Sequence, residues 1–173
     1  EIFGKNNFCN EIVWKRGHTV KSTIGNQFPR SHDTILFYSK SNSANIFNPS
    51  YGQYSEGTLK NYNKTDERGL YRLQSLRTYG EESIQKFKDK GLIYESGSGK
   101  KWLKQYLKDR EGPKIDSFWA DISSIEVKRQ EQLGYPTQKP EGLLDRIIKT
   151  STNEGDIVSD FFVGSGTTAS VCE

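Results

Sequence analysis

At 173 residues the chain can bury one sizeable core, or one core with a small appended lobe. Its 25 Lys and Arg against 22 Asp and Glu leave a formal net charge of +3, too small to name a partner by itself. Cys9 and Cys172 are too few and too far apart for a disulfide framework or a zinc centre, and no apolar run reaches membrane length. The expectation is a soluble cytoplasmic protein with no metal site and no membrane partner. A hydrophobic content of 32% beside an aromatic content of 12% suggests a polar lobe attached to a better-packed part.

The chain opens on Glu1 and contains no methionine, so it reads as a piece of a longer protein. Residues 1–7 look like the tail of a helix stopped at Gly4, and residues 8–14 like a strand. Residues 16–28 are rich in Gly, Ser, Thr and Asn, with His18 among them, and read as a connector. The run TILFY at 34–38 is the clearest strand of this half. His32 and Asp33, just before it, are better read as a local hydrogen-bonding pair than as an acid–base couple, because no nucleophile signature accompanies them.

From 41 to about 62 the sequence turns to Asn, Ser, Tyr and Gly, which marks a boundary with long loops. Residues 70–76 alternate as a strand does. Residues 81–90 form a helix, with acids in the first turn, lysines in the last and Gly91 as its stop. A short strand at 92–94 leads to the basic turn SGSGKK, which does not satisfy the phosphate-loop pattern. Trp102, Leu103, Tyr106 and Leu107 would share one face of a helix and form the small core of this lobe. Lys100, Lys101, Lys104 and Lys108 are then left for solvent or DNA. Between Lys86 and Arg110 there are eight basic residues against three acidic ones, a local excess able to track a phosphate backbone.

The last forty residues carry the most chemistry. Pro140 suits the start of a helix, and Leu143, Leu144, Ile147 and Ile148 form its apolar stripe. Residues 157–163 read as a buried strand of a parallel sheet. Gly164, Ser165 and Gly166 then turn the chain into a helix beginning near Thr167. The spacing of Gly164, Gly166 and Ala169 fits G-x-G-x-x-(G/A), which permits a tight turn and close ligand approach. Thr137, Gln138 and Lys139, at the entrance of the preceding helix, would face the same pocket.

These segments resemble the beta-group AdoMet-dependent DNA amino-methyltransferases of bacterial restriction–modification systems. The resemblance rests on TQKP, the following helix, the EGD turn and DFFVGSGTT, supported upstream by NEIVWKR at 10–16 and FPRSHDTILFYSK at 28–40. Where that family usually has Asp-Pro-Phe, this chain has Asp160, Phe161 and Phe162. Its tetrapeptide (D/N/S)-P-P-(Y/F/W), which carries the chemistry, does not occur, so no catalytic residue is assigned.

The resemblance implies an α/β fold: a partial Rossmann-like sheet with an inserted, smaller α+β target-recognition lobe. It assigns residues 1–40 and 119–173 to the methyltransferase core and 41–118 to the DNA-reading lobe. S-adenosyl-L-methionine would be held by Asp160, Phe162, Gly164, Ser165, Gly166 and Thr167, with Thr137, Gln138 and Lys139 closing the pocket. Double-stranded DNA would meet Arg16, Arg30, Lys100, Lys101, Lys104 and Lys108, and a restriction endonuclease would be the partner enzyme. The piece by itself is expected to be inactive and to bind AdoMet weakly or not at all. The alternatives are a non-catalytic DNA-binding module and a dinucleotide-dependent oxidoreductase fragment.

Overall fold

The computed structural model describes residues 3–17, 26, 28–41, 45–126 and 128–173. His18 and most of the connector that contains it lie outside the described residues. The fold is mixed α and β with two sheets. By its contacts the chain divides into two compact units, residues 1–50 with 114–173, and residues 51–113.

In the first unit, β1 (Phe8–Lys15) is the central strand of three. It pairs antiparallel with β2 (His32–Tyr38) and parallel with a two-residue strand, Phe118–Trp119, that is β7 in chain order. Strand β2 starts two residues earlier than its apolar run suggests, because His32 and Asp33 pair with Lys15 and Trp14. Asp33 also lies 3.4 Å from the Arg16 guanidinium. Gly4 precedes a 3₁₀ turn at Lys5–Asn7, and the start of the helix tail expected over residues 1–7 lies outside the described residues.

Helix α3 (Glu141–Ser151) lays its apolar stripe on this sheet. Leu143 joins Trp14, Trp119 and Ile122 in the buried core, and Leu144 and Ile147 pack against it. Both tryptophans satisfy their N–H on backbone: Trp14 Nε1 donates to the Ile122 carbonyl (2.9 Å) and Trp119 Nε1 to that of Asp116 (2.8 Å). Arg146 covers the Trp119 ring at 5.0 Å while its guanidinium forks onto the Asp121 carboxylate. That pairing holds the Asp121 carboxyl below its ordinary pKa.

The far end of α3 is closed by a residue about a hundred positions upstream. Asn48 Nδ2 lies within bonding distance of the carbonyls of Lys149 (3.1 Å) and Thr152 (2.8 Å) and of Asn153 Oδ1 (3.2 Å), and the Asn48 N–H donates to the Thr150 carbonyl. Carbonyls in the last turn of a helix have no partner inside it. Here the loop at 45–50 supplies one.

The second unit is a four-stranded antiparallel sheet in the order β3-β4-β6-β5, with β3 Lys64–Asp66, β4 Gly69–Ser75, β5 Ile93–Glu95 and β6 Lys101–Tyr106. A single-turn helix α1 (Glu56–Leu59), whose Ser55 hydroxyl accepts from the Thr58 N–H, precedes it. Helix α2 (Glu81–Asp89) connects β4 to β5. The helix expected over 102–107 is instead β6, followed by a 3₁₀ turn at Leu107–Asp109. Its alternation puts Leu103 and Gln105 on one face of the sheet and Lys104 and Tyr106 on the other.

The polar residues of β6 are tolerated because each is paired. Lys104 donates to Asp66 at 2.7 Å, and the Tyr106 hydroxyl donates to the same carboxylate at 2.8 Å. Gln105 accepts from Arg72 Nε at 3.0 Å. The Lys104 bond is the largest of the effects that lower the Asp66 pKa, to about 2. Among the described residues, no helix is long and apolar enough to cross a membrane.

The strand expected at 157–163 does not form. Among the described residues no strand pairs with this run, and Ile157, Phe161 and Phe162 are 92%, 90% and 93% exposed. The apolar composition is right for a buried strand, but a strand exists only with a hydrogen-bonded neighbour, and neither sheet reaches this segment.

Candidate functional site

The glycine turn has the expected backbone. Gly164 (φ 51°) and Gly166 (φ 81°) both adopt left-handed conformations, and Gly166 is the residue before helix α4 (Thr167–Cys172). The Gly166 N–H closes the turn onto the Val163 carbonyl at 2.8 Å. A Cβ on Gly164 would stand 3.1 Å from the Tyr135 ring, so this position is chosen for space as well as dihedral angle.

Asp160 is tied to the same turn. It accepts from the Phe162 N–H (2.9 Å) and from the Thr168 hydroxyl (2.6 Å), and chiefly the Thr168 bond lowers its pKa. Its carboxylate thus fastens the first turn of α4 to the segment before the glycines. The Phe162 side chain stands in the open. Ser165 Oγ and Thr167 Oγ1 are 2.9 Å apart, and Thr167 is buried.

Thr137, Gln138 and Lys139 sit at the entrance of α3. The Thr167 hydroxyl reaches the Lys139 carbonyl at 3.4 Å, so the glycine turn and the TQK segment, 28 residues apart, are neighbours. Gln138 is buried with its amide consumed internally: Nε2 donates to the Glu131 carbonyl (2.6 Å), and Oε1 accepts from the Leu133 N–H (2.9 Å). It shapes the segment, with one donor and one acceptor site of its amide already taken. Lys139 and Thr137 are exposed.

The two halves of this arrangement line different clefts. Thr137, Gln138 and Lys139 share a cleft of about 240 Å³ with Trp14, Arg16 and Ser124, at the C-terminal end of β1. Asp160, Val163 and Thr168 line a separate groove of about 230 Å³ with Asp156 and Cys172. Sequence reasoning missed Trp14, Ser124 and Tyr135. No spacing rule connects residues on three separate segments: the pairing of β1 with β7 beside α3 brings Trp14 and Ser124 to one cleft, while the Tyr135 ring lies beside Gly164.

Over residues 1–173 the sequence matches the family model for N6 and N4 DNA methylases. The chain belongs to the N6/N4 DNA methylase family. It is 28% identical to the Type II methyltransferase M.EcaI of Enterobacter cloacae over 97% of the chain and 42% of that protein. It is 28% identical to the Mod subunit of the Type III restriction–modification enzyme StyLTI of Salmonella typhimurium, over 98% of the chain and 31% of the subunit. Against the Type II methyltransferase M.BglII of Bacillus subtilis the identity is 26%, over 95% of the chain and 35% of that protein. The chain therefore spans less than half the length of these curated relatives.

The basic residues expected to meet DNA differ in their surroundings. Lys100 is exposed, with its ammonium 4.4 Å from the centre of the Trp102 ring, and Lys108 is exposed. Lys101 lies 3.8 Å from Glu95. Lys104 has only 20% of its side chain accessible, and its charge is engaged by Asp66. In the other unit, Arg30 is exposed and bonds the His32 carbonyl, and Arg16 is half-buried beside Asp33. The helix face expected to present four lysines is replaced by a strand, on which adjacent residues point to opposite faces.

Proposed function

We propose that the chain is part of a site-specific DNA methyltransferase that moves a methyl group from S-adenosyl-L-methionine to the exocyclic amino nitrogen of adenine (N6) or cytosine (N4) in double-stranded DNA. Family membership supports this reading. The observation that carries it is the meeting of the glycine turn with the TQK segment at the Thr167–Lys139 contact. The bond between the parallel strands β1 and β7, with antiparallel β2 at the edge, supports a partial Rossmann-like core. The unit at 51–113 is proposed as the target-recognition lobe, slightly shorter than the 41–118 expected. The names of the relatives point to a restriction–modification setting with an endonuclease partner.

The residues fit the cofactor. Gly164 and Gly166 leave the turn without side chains, Phe162 offers a solvent-facing ring, and Ser165, Thr167 and Lys139 supply polar groups beside it. AdoMet, when bound, supplies an electrophilic methyl on a sulfonium. The proposed roles are then simple. The glycines give backbone access, Phe162 covers apolar parts, Thr137 and Lys139 close the pocket, and Asp160 holds the turn through Thr168.

The target base must leave the duplex to reach any such pocket, since stacking hides its amino group. The sequence has no (D/N/S)-P-P-(Y/F/W) tetrapeptide to accept from that amine, so transfer by these residues alone is not expected. The test is mass spectrometry of nucleosides from DNA incubated with AdoMet and the protein that contains this chain. N6-methyladenine or N4-methylcytosine is expected; the absence of both, with DNA binding retained, would favour the non-catalytic module. Family membership leaves the oxidoreductase reading without support.

A further inference from the structure

Of the two left-handed glycines in the turn before α4, one is open and one is covered. A Cβ on Gly166 would meet nothing within 4 Å, whereas one on Gly164 would stand 3.1 Å from Cε1 of Tyr135 and 3.5 Å from its Cζ and its hydroxyl oxygen. The hydroxyl end of that ring therefore fills the space that the missing side chain of Gly164 would leave to a ligand. Tyr135 lines neither cleft, yet it joins segments that line both. Pro136, the next residue, belongs to the cleft of Thr137, Gln138 and Lys139, and Val163, the residue before Gly164, belongs to the groove with Asp160 and Thr168.

The cover is hung so that it can move. Tyr135 is 46% exposed, so no packed core clamps the ring in place. Gly134, just before it, has a left-handed backbone (φ 78°), and a Cβ there would meet nothing within 4 Å, so the chain is uncrowded at that point. On the other side the segment is pinned. The Gln138 N–H donates to the Tyr135 carbonyl at 3.1 Å, and the Gln138 side chain is bonded to the backbone of Glu131 and Leu133. A fixed point, a half-exposed bulky ring and an uncrowded glycine are the parts of a lid.

We propose that Tyr135 is a gate on the cofactor site. With its ring against Gly164 it keeps the two clefts apart, and the ring must swing away about Gly134, joining them, before AdoMet can enter. This rests on the reading of the glycine turn and the TQK segment as the two halves of one cofactor pocket. Because the closed form does not bind, the apparent affinity is lowered by the fraction of molecules that are open, and truncating the ring restores it.

The experiment measures AdoMet affinity by calorimetry and association rate by stopped-flow fluorescence, using the protein that contains this chain. Tyr135→Ala should bind AdoMet several-fold more tightly than the unsubstituted protein and associate faster. Tyr135→Phe, which keeps the ring carbons over Gly164, should match the unsubstituted protein. A variant that merely loosened the fold would lower Tm and affinity together, so tighter binding cannot arise that way. Unchanged or weaker binding by folded Tyr135→Ala overturns the gate, weaker binding marking the ring as a fixed wall of the pocket. Tyr135→Ser, a polar truncation suited to a half-exposed position, takes the place of the alanine variant should that one not fold. Absence of AdoMet binding in every form, the unsubstituted protein included, sinks the cofactor reading itself and the gate with it.

Discussion

Asp66 shows how a single carboxylate organises its surroundings. It accepts from Lys104, the Tyr106 hydroxyl and the Arg68 N–H, which fastens β3 to β6 across β4. Its pKa is depressed from 3.8 to about 2, so the folded state favours the charged form. The stabilisation is therefore complete above the unfolded value and is lost as pH falls from about 4 through 2. Thermal unfolding followed by circular dichroism should show Tm dropping across that window. Asp66→Asn should lower Tm at pH 7 and shrink the acid-dependent drop. A variant that keeps the full drop would place its origin elsewhere.

Gly164 gives a second prediction at the same scale. Alanine there meets a left-handed backbone, which costs a non-glycine residue about 1–2 kcal/mol, and also pushes on the Tyr135 ring. Gly164→Ala should destabilise the chain by about that amount in urea titration. In a Tyr135→Ala background the steric part should vanish while the dihedral part remains.

Among the elements, α3 is closed from a distance. Asn48→Ala removes a side-chain donor from the carbonyls of Lys149 and Thr152, at a cost of about 1 kcal/mol. Hydrogen exchange should report faster opening in the last turn of α3 and no change in the second unit. The sequence discloses α3 itself, because its stripe of Leu143, Leu144 and Ile147 has helical spacing, but nothing in it points to Asn48. Strands β1, β2 and β4 and helix α2 are equally legible from alternation, charge placement and Gly91.

Two elements are misread for opposite reasons. In WLKQYL the apolar residues satisfy helical spacing, while the alternation of β6 is masked by Lys104 and Gln105, polar residues kept half-buried or buried by Asp66 and Arg72. In residues 157–163 the composition says strand, but a strand also requires a pairing edge, which composition does not encode. The glycine turn was legible because its constraint is local. The cleft that Trp14 and Arg16 share with TQK was not, since it depends on strand register.

For the molecule as a whole, the cofactor reading makes a quantitative claim. Asp160 and Gln138 have their polar side-chain atoms bonded within the protein, and the two predicted halves of the pocket line separate clefts. Calorimetric titration of this chain with AdoMet should therefore give weak heats that do not saturate at micromolar ligand. Tight, saturable binding would mean that the present arrangement already contains the whole pocket.

The bare run at 157–163 bears on how such a chain behaves in a tube. Backbone that has no strand partner, flanked by the exposed Ile157, Phe161 and Phe162, invites another copy to add itself edge-on, the way aggregates nucleate. Light scattering should rise with concentration, and Phe161→Lys with Phe162→Lys should suppress it. Keeping those two phenylalanines therefore means working dilute, or supplying a companion segment that occupies the edge first.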